Sequence, residues 1–357
     1  MNTKALKDTL NLFQNIIKQE KLNIMSDLIE IYIDDNKMIH FGMTDKVTTI
    51  VYKNVLNDEK DIVMDNVVVQ LSRLNSIVKL LDSESTYLYN KGDYVMVVSD
   101  RGKYKVETVV DENGNKFHLP LNMPTAKDKK EFFIDNAKEI VDRASTSIPE
   151  KNLSHPEFMR YACVKDKTVT TNVKSISIVD SALPFNELGA DIVKHISMLP
   201  REKAYISMID DGFRISSENI EIYEKTVINK NIFPSDVIVP FLEYKQFPHF
   251  SIMKKDFLNA LKRSDFVRSI VDYPKVILTL STDCVKLEST TGKTKEELNT
   301  SEIITDDSYT SCLLLDSAMK YTKLLDTGII TIYVNSGNYI VLEDLVGCYI
   351  ISEVGRK

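Results

Sequence analysis

Two distant stretches of this sequence carry the same punctuation. Lys91-Gly92-Asp93-Tyr94-Val95-Met96-Val97 runs on to Gly102-Lys103-Tyr104-Lys105-Val106, and Ser336-Gly337-Asn338-Tyr339-Ile340-Val341-Leu342 runs on to Gly347-Cys348-Tyr349-Ile350-Ile351. In both, the glycines stand ten residues apart and each is followed two positions later by tyrosine. Working outward, Val67-Val68-Val69-Gln70 leads into a predicted helix over 71–81 and a strand over 86–89. Leu313-Leu314-Leu315 likewise leads into 316–325 and 329–334. A weaker middle copy starts at Ala182-Leu183-Pro184-Phe185, with a helix expected over 186–197, a strand over 204–208 and Asp210-Asp211-Gly212-Phe213 after it. Gly212 lies 120 residues after Gly92 and 125 before Gly337, so the chain repeats with a period of about 120 residues.

The expected fold is therefore α+β: three repeated units, 1–126, 127–245 and 246–357, each with two helices packed on antiparallel sheets and about eight strands. Each unit opens on a helix, expected at 4–20, 135–145 and 254–270. In the first, Leu6, Leu10, Phe13 and Ile17 recur at helical spacing on one face, and Lys4, Lys7, Asn11 and Lys18 gather on another.

With 357 residues, 43% of them hydrophobic, the chain is long enough to bury a core and is not of disordered composition. The longest apolar runs are strand-sized, such as Cys312-Leu313-Leu314-Leu315, too short to span a bilayer. Met1-Asn2-Thr3-Lys4-Ala5-Leu6 lacks a secretory h-region. Cys163, Cys284, Cys312 and Cys348 form no C-x-x-C, which reads as reduced thiols of a cytoplasmic protein without membrane partners. The formal charge is −7, from 45 Lys+Arg and 52 Asp+Glu, yet the six expected helices together carry +5 and leave −12 for the rest. A basic helical wall in an acidic molecule suits a duplex polyanion, held through phosphates without sequence specificity and in a salt-sensitive way.

At this point the sequence resembles the bacterial-type β sliding clamps, the DNA polymerase III β-subunit family, across nearly its whole length. Gly42-Met43-Thr44-Asp45 is similar to the family's threonine-aspartate turn and 69–81 to its second helix. In the middle unit 181–199 resembles the second-helix segment, and Thr170-Thr171-Asn172-Val173-Lys174-Ser175 stands at a threonine-aspartate-glycine-histidine-arginine stretch. In the last unit 250–262 resembles the opening helix, 291–298 an acidic loop and 336–351 the closing strands.

The resemblance implies half of a ring: a homodimer of six units around duplex DNA, helices lining the hole, acting as a noncatalytic processivity factor for DNA replication that tethers a polymerase. It also implies a clamp loader as partner and no cofactor. The channel candidates are Lys4, Lys7, Lys18, Lys21, Arg73, Lys79, Lys254, Lys262, Arg263, Lys320 and Lys323. The family's peptide-docking pocket, carried over by position, takes Thr171, Val173, Ser175 and Ile176 from the second unit. Pro234 and Val239 come from a connecting strand, and Met319, Tyr339, Ile350, Ser352 and Val354 from the third unit. Lys174-Ser175 replaces the family's histidine-arginine pair and Ser352-Glu353-Val354 its methionine-rich tail, departures that fit a divergent, phage-encoded clamp with its own partners.

Two other readings stay open: a clamp-fold docking scaffold, for example in transcription, that does not encircle DNA, and a metal-dependent hydrolase built on Asp34-Asp35, Asp210-Asp211 or Asp306-Asp307. These pairs read first as turn residues. Gly292-Lys293-Thr294 lacks the upstream glycine of a phosphate-binding loop, since position 287 is Leu287. His40, His118, His155, His195 and His249 show no zinc spacing.

Overall fold

The computed structural model describes residues 1–17, 23–34, 38–55, 66–125, 129–149, 156–200, 202–209, 211–225, 233–265 and 273–355. Along them one module recurs six times: a strand, a helix, then three strands. The first has α1 (Thr3–Ile16), β1 (Leu28–Ile33), β2 (Met38–Thr44) and β3 (Thr48–Val55), with a single bridge from Asn2 to Ser85 in place of the leading strand. The second has β4 (Val67–Gln70), α2 (Leu71–Lys79), β5 (Tyr87–Asn90), β6 (Tyr94–Ser99) and β7 (Gly102–Glu107). The third has β8 (Lys130–Phe133), α3 (Ile134–Ala144), β9 (Arg160–Val164), β10 (Lys167–Thr171) and β11 (Ser175–Val179). The fourth has β12 (Glu187–Gly189), α4 (Ala190–Ser197), β13 (Lys203–Ile209), β14 (Gly212–Ser217) and β15 (Ile220–Lys225).

A short helix, α5 (Ser235–Ile238), precedes the fifth module: β16 (His249–Met253), α6 (Lys254–Asp265), β17 (Lys275–Leu280), β18 (Val285–Ser289) and β19 (Lys295–Leu298). An extra strand, β20 (Thr300–Ile304), follows. The sixth has β21 (Tyr309–Leu314), α7 (Leu315–Leu324), β22 (Ile329–Asn335), β23 (Tyr339–Glu343) and β24 (Gly347–Ser352). The repeated glycines fall where modules two and six turn: Gly92 at φ 88° and Gly337 at φ 84° hold left-handed turns that a Cβ would strain.

By compactness the chain divides into Met1–Ala137 with Lys194–Ile228, and Lys138–Val193 with Asn229–Lys357. The first unit holds an eight-stranded antiparallel sheet, β4-β1-β2-β3-β15-β14-β13-β8, and a three-stranded one, β5-β6-β7. The second holds a nine-stranded sheet, β12-β9-β10-β11-β24-β23-β22-β16-β20, and a four-stranded one, β19-β18-β17-β21. Each long sheet therefore joins strands far apart in sequence: β3 pairs β15 (Ile50↔Ile222) and β11 pairs β24 (Ile176↔Ile350).

The apolar helix stripes go inward. Leu6, Leu10 and Phe13 of α1 are buried, as are Leu74 and Val78 of α2, each such side chain contributing about 1.5–3 kcal/mol. The helix expected over 4–20 stops at Ile16: Ile17, although buried, is its C-cap with extended backbone at φ −98° and ψ 107°. In the second unit Phe250, Phe257, Leu261, Leu278, Leu313 and Tyr321 belong to one core. No helix among the described residues is long and apolar enough to cross a membrane.

Three further local expectations are corrected. The helix expected over 186–197 begins only at Ala190, because Leu188 is buried in β12 against β9, while the Glu187 carboxylate binds Arg160 at 2.6 Å and the backbone N–H of Phe233 at 3.0 Å. The connecting strand is helical: Pro234 is the N-cap of α5, and Val239–Gln246 is 3-10 with a kink at Glu243 and with Pro240 in its first turn, where a missing N–H costs nothing. The 291–298 loop ends in β19, which pairs β18. Lys18, Lys21, Asp35, His155, Asp210 and residues 266–270 of the expected third opening helix lie outside the described residues.

Candidate nucleic-acid interface and partner site

The helix cations divide by what already engages them. Lys4, Lys79, Lys262 and Lys323 are exposed on α1, α2, α6 and α7. Arg73 is exposed and paired with Glu107 at 2.8 Å. Arg263 chelates Glu296 through Nε, at 2.9 Å, and Nη2. Lys320 lies 5.3 Å above the Tyr321 ring and donates to the Thr146 carbonyl at 3.4 Å.

Lys7 and Lys254 have a different role. Lys7 Nζ donates to the Leu81 carbonyl at 2.6 Å just past α2, and Lys254 Nζ donates to the carbonyls of Lys323, at 3.1 Å, and Leu325 at the end of α7. Each satisfies orphan carbonyls at the C-terminal end of the neighbouring helix. Helical spacing marks both as surface cations, but it carries no information about a carbonyl some seventy residues away. Along α1, Ala5, Asp8, Asn11, Leu12 and Asn15 also line a cavity of about 490 Å³ with Tyr52 and Ile220 of the β3·β15 seam.

The β11·β24 seam organises the second site. Ile176 and Ile350 face each other across it in an apolar cluster that also takes in Val239 and Tyr339. Phe241, Leu242 and Phe247, which sequence reasoning missed, complete that cluster. Phe241 and Phe247 place their rings 5.2 and 6.0 Å from Tyr339. Their signal was present: an aromatic and aliphatic run bounded by Pro240 and Pro248.

The rim is the turn between β10 and β11. Thr171 Oγ1 accepts from the Val173 N–H at 3.1 Å and donates to the Ser175 carbonyl at 3.0 Å, while Asn172 Oδ1 accepts from the N–H groups of Lys174 and Ser175 at 3.1 and 2.9 Å. This holds Val173, a residue 65% exposed, at φ 74°, a costly conformation for a β-branched residue. Thr44, Asp45 and Lys46 build the same turn between β2 and β3, with Lys46 at φ 77°.

Ser175 is buried and bonds the Tyr321 hydroxyl, so it supports the rim from beneath. Ser352 is exposed opposite Tyr339, and Pro234 is half-buried at the start of α5. One expected member sits elsewhere: Met319 packs on the core of Phe250 and Phe257. The Val354 backbone N–H donates to the Cys312 carbonyl at 2.9 Å.

A half-buried polar tie fixes the connector. The Glu343 carboxylate accepts from the hydroxyls of Tyr244 at 2.7 Å and Tyr333 at 2.8 Å, and Lys245 Nζ stands 3.1 Å away. Burial, then the neighbouring Cys348 and Glu343, pushes the Tyr244 phenol up. Burial pushes the adjacent Cys348 thiol up to about 12. Neither group is poised for chemistry at neutral pH. Among the described residues no group of three or more His, Cys, Asp or Glu is placed to hold a metal ion. Asp34 and Asp211 instead bond His40, at 2.9 Å, and the Tyr223 hydroxyl, at 2.6 Å.

This architecture is that of the bacterial sliding clamps. The DNA polymerase III β chain of Streptococcus pneumoniae TIGR4 superposes with a TM-score of 0.82 at 15% identity, covering 99% of this chain and 98% of that one. The DNA polymerase III subunit beta of Pseudomonas aeruginosa gives 0.81 at 13%, and the beta subunit of Thermotoga maritima 0.80 at 14%, both with the same coverage. No family model matches the sequence, and no curated protein matches it. The likeness is one of fold, carried by packing and pairing rather than by residue identity.

Proposed function

We propose that this chain is a DNA sliding clamp: a noncatalytic processivity factor that closes head to tail with a second copy around duplex DNA and tethers a polymerase. One observation carries the reading. In β3·β15 and β11·β24, the last strand of one module pairs with the last strand of the module three further on. The same rule applied to the fifth module calls for the second module of another copy, joining β19 to β7. Both are edge strands without an outer strand partner among the described residues.

Two such junctions close a two-fold ring and remove both edges. The sequence divisions 1–126, 127–245 and 246–357, two modules each, then serve as the ring's three units per copy. Exposed Lys4, Arg73, Lys79, Lys262, Lys320 and Lys323 face the phosphates. A partner's short apolar motif lies over Val239, Phe241, Tyr339 and Ile350, beside the Thr171–Lys174 turn. A clamp loader opens the ring.

Loading on nicked circular DNA with a clamp loader, followed by gel filtration, tests this: the protein stays with the circle and leaves on linearisation. Arg73→Glu with Lys79→Glu reduces retention at least about tenfold and leaves the urea midpoint unchanged. Equal retention on circular and linear DNA, or none on either, refutes enclosure. Tyr104, 39% exposed on the free edge of β7, is expected to lie in the junction. Light scattering then finds twice the 40.8 kDa chain mass for the wild type and a single chain for Tyr104→Asp. A monomeric wild type with no retention favours the docking-scaffold reading.

A further inference from the structure

The sheet β5-β6-β7 has two unlike faces. Leu88, Val95, Val97 and Val106 are buried on one. Alternation puts Tyr87, Tyr89 and Tyr94 on the other, and register sets Tyr87, Val98 and Lys103 in one row and Tyr89, Met96 and Lys105 in the next. Lys91, Lys103 and Lys105 are exposed. Lys91 Nζ stands 5.9 Å above the Tyr89 ring and Lys105 Nζ 4.6 Å above the Tyr94 ring. The acidic neighbour in the Tyr94 row, Glu107, is taken up by Arg73 at 2.8 Å.

Half-buried Tyr87 and Tyr89, about 7 Å apart along β5, with Tyr94 on the neighbouring β6 and lysines bordering them on a shallow three-stranded surface, make a stacking platform with an electrostatic rail. A duplex keeps its base faces covered and gains nothing from the tyrosines. An acidic peptide satisfies the lysines but offers no flat rings to stack. We propose that this face binds single-stranded nucleic acid, with bases stacked on Tyr87, Tyr89 and Tyr94 and phosphates held by Lys91, Lys103 and Lys105. The site needs no ring, and it meets the helix cations at the Arg73–Glu107 pair.

Fluorescence anisotropy with labelled dT20 and rU20 in 50 mM salt tests it on the full chain. Both oligonucleotides bind. Tyr89→Ala with Tyr94→Ala weakens binding at least about tenfold, and the paired Phe variants retain it. Lys103→Ala with Lys105→Ala lowers the slope of log affinity against log salt by about 1.4. A neutral Tyr104→Ser variant, which removes the ring from the junction without placing a carboxylate between Lys103 and Lys105, binds as well as the wild type, so a failed ring leaves this result standing. No binding up to 100 µM overturns the proposal. So does loss of binding in Arg73→Glu/Lys79→Glu with none in the tyrosine variants, and so does competition by poly-glutamate that is indifferent to the tyrosines.

Discussion

Replacing Gly347 by alanine is expected to destabilise the Lys138–Val193 and Asn229–Lys357 unit by about 3 kcal/mol, the upper end for overpacking. A Cβ built there stands 2.1 Å from the Ile178 carbonyl oxygen and 3.0 Å from Val179 Cα, backbone atoms that no side-chain rotation moves. Gly347 opens β24 opposite Val179, so the substitution pushes β11 away where the two strands first engage. Gly337→Ala is the control: nothing lies within 4 Å of its Cβ, and only the left-handed turn at φ 84° resists it, at about 1–2 kcal/mol. Urea midpoints measure both, and a Gly347→Ala loss no larger than that of Gly337→Ala would show that the seam yields freely.

The second large effect is expected at Arg143. Its guanidinium, 6% exposed at the end of α3, donates to Asp344 Oδ2 at 2.6 Å and to the Leu324 carbonyl at 2.9 Å, with Asp326 2.9 Å away. The Asp344 side chain is fully buried. Arg143→Met strands that carboxylate, and breaking a buried pair from one side costs about 3–5 kcal/mol. The N–H groups of Asp326, Val346 and Gly347 still bond the Asp344 carboxylate, which places the loss near the low end. Adding Asp344→Asn removes the charge and keeps an acceptor for the turn, so the double variant recovers at least about half of the stability. A single-variant loss below about 1 kcal/mol, or no recovery in the double, contradicts the pairing argument.

The sequence was most informative where the physics is local. Leu6, Leu10 and Phe13 announce their helix face by spacing, and all three are buried; Ile17 is buried too, but past the end of the helix. Gly92 and Gly337 mark turns because only glycine enters the left-handed region without strain. Local pattern misled where a distant group intervened. Val237, Ile238 and Val239 have strand propensity, yet burial of Ile238 and Tyr244 against the nine-stranded sheet makes the connector helical. Lys7, Lys254 and Arg263 match the exposed lysines in sequence, and their engagement depends on Leu81, Leu325 and Glu296, which periodicity never names.

By itself, then, the chain's pattern determined the repeat, the α+β class, the helix faces and the resemblance to sliding clamps, because spacing and turn chemistry act within a few residues. Only the tertiary structure decided that β3 joins β15 and β11 joins β24, that β7 and β19 are left as edges, and which cations remain exposed. Strand pairing is set by backbone hydrogen bonds between segments more than 150 residues apart, and those bonds are the same whatever the side chains.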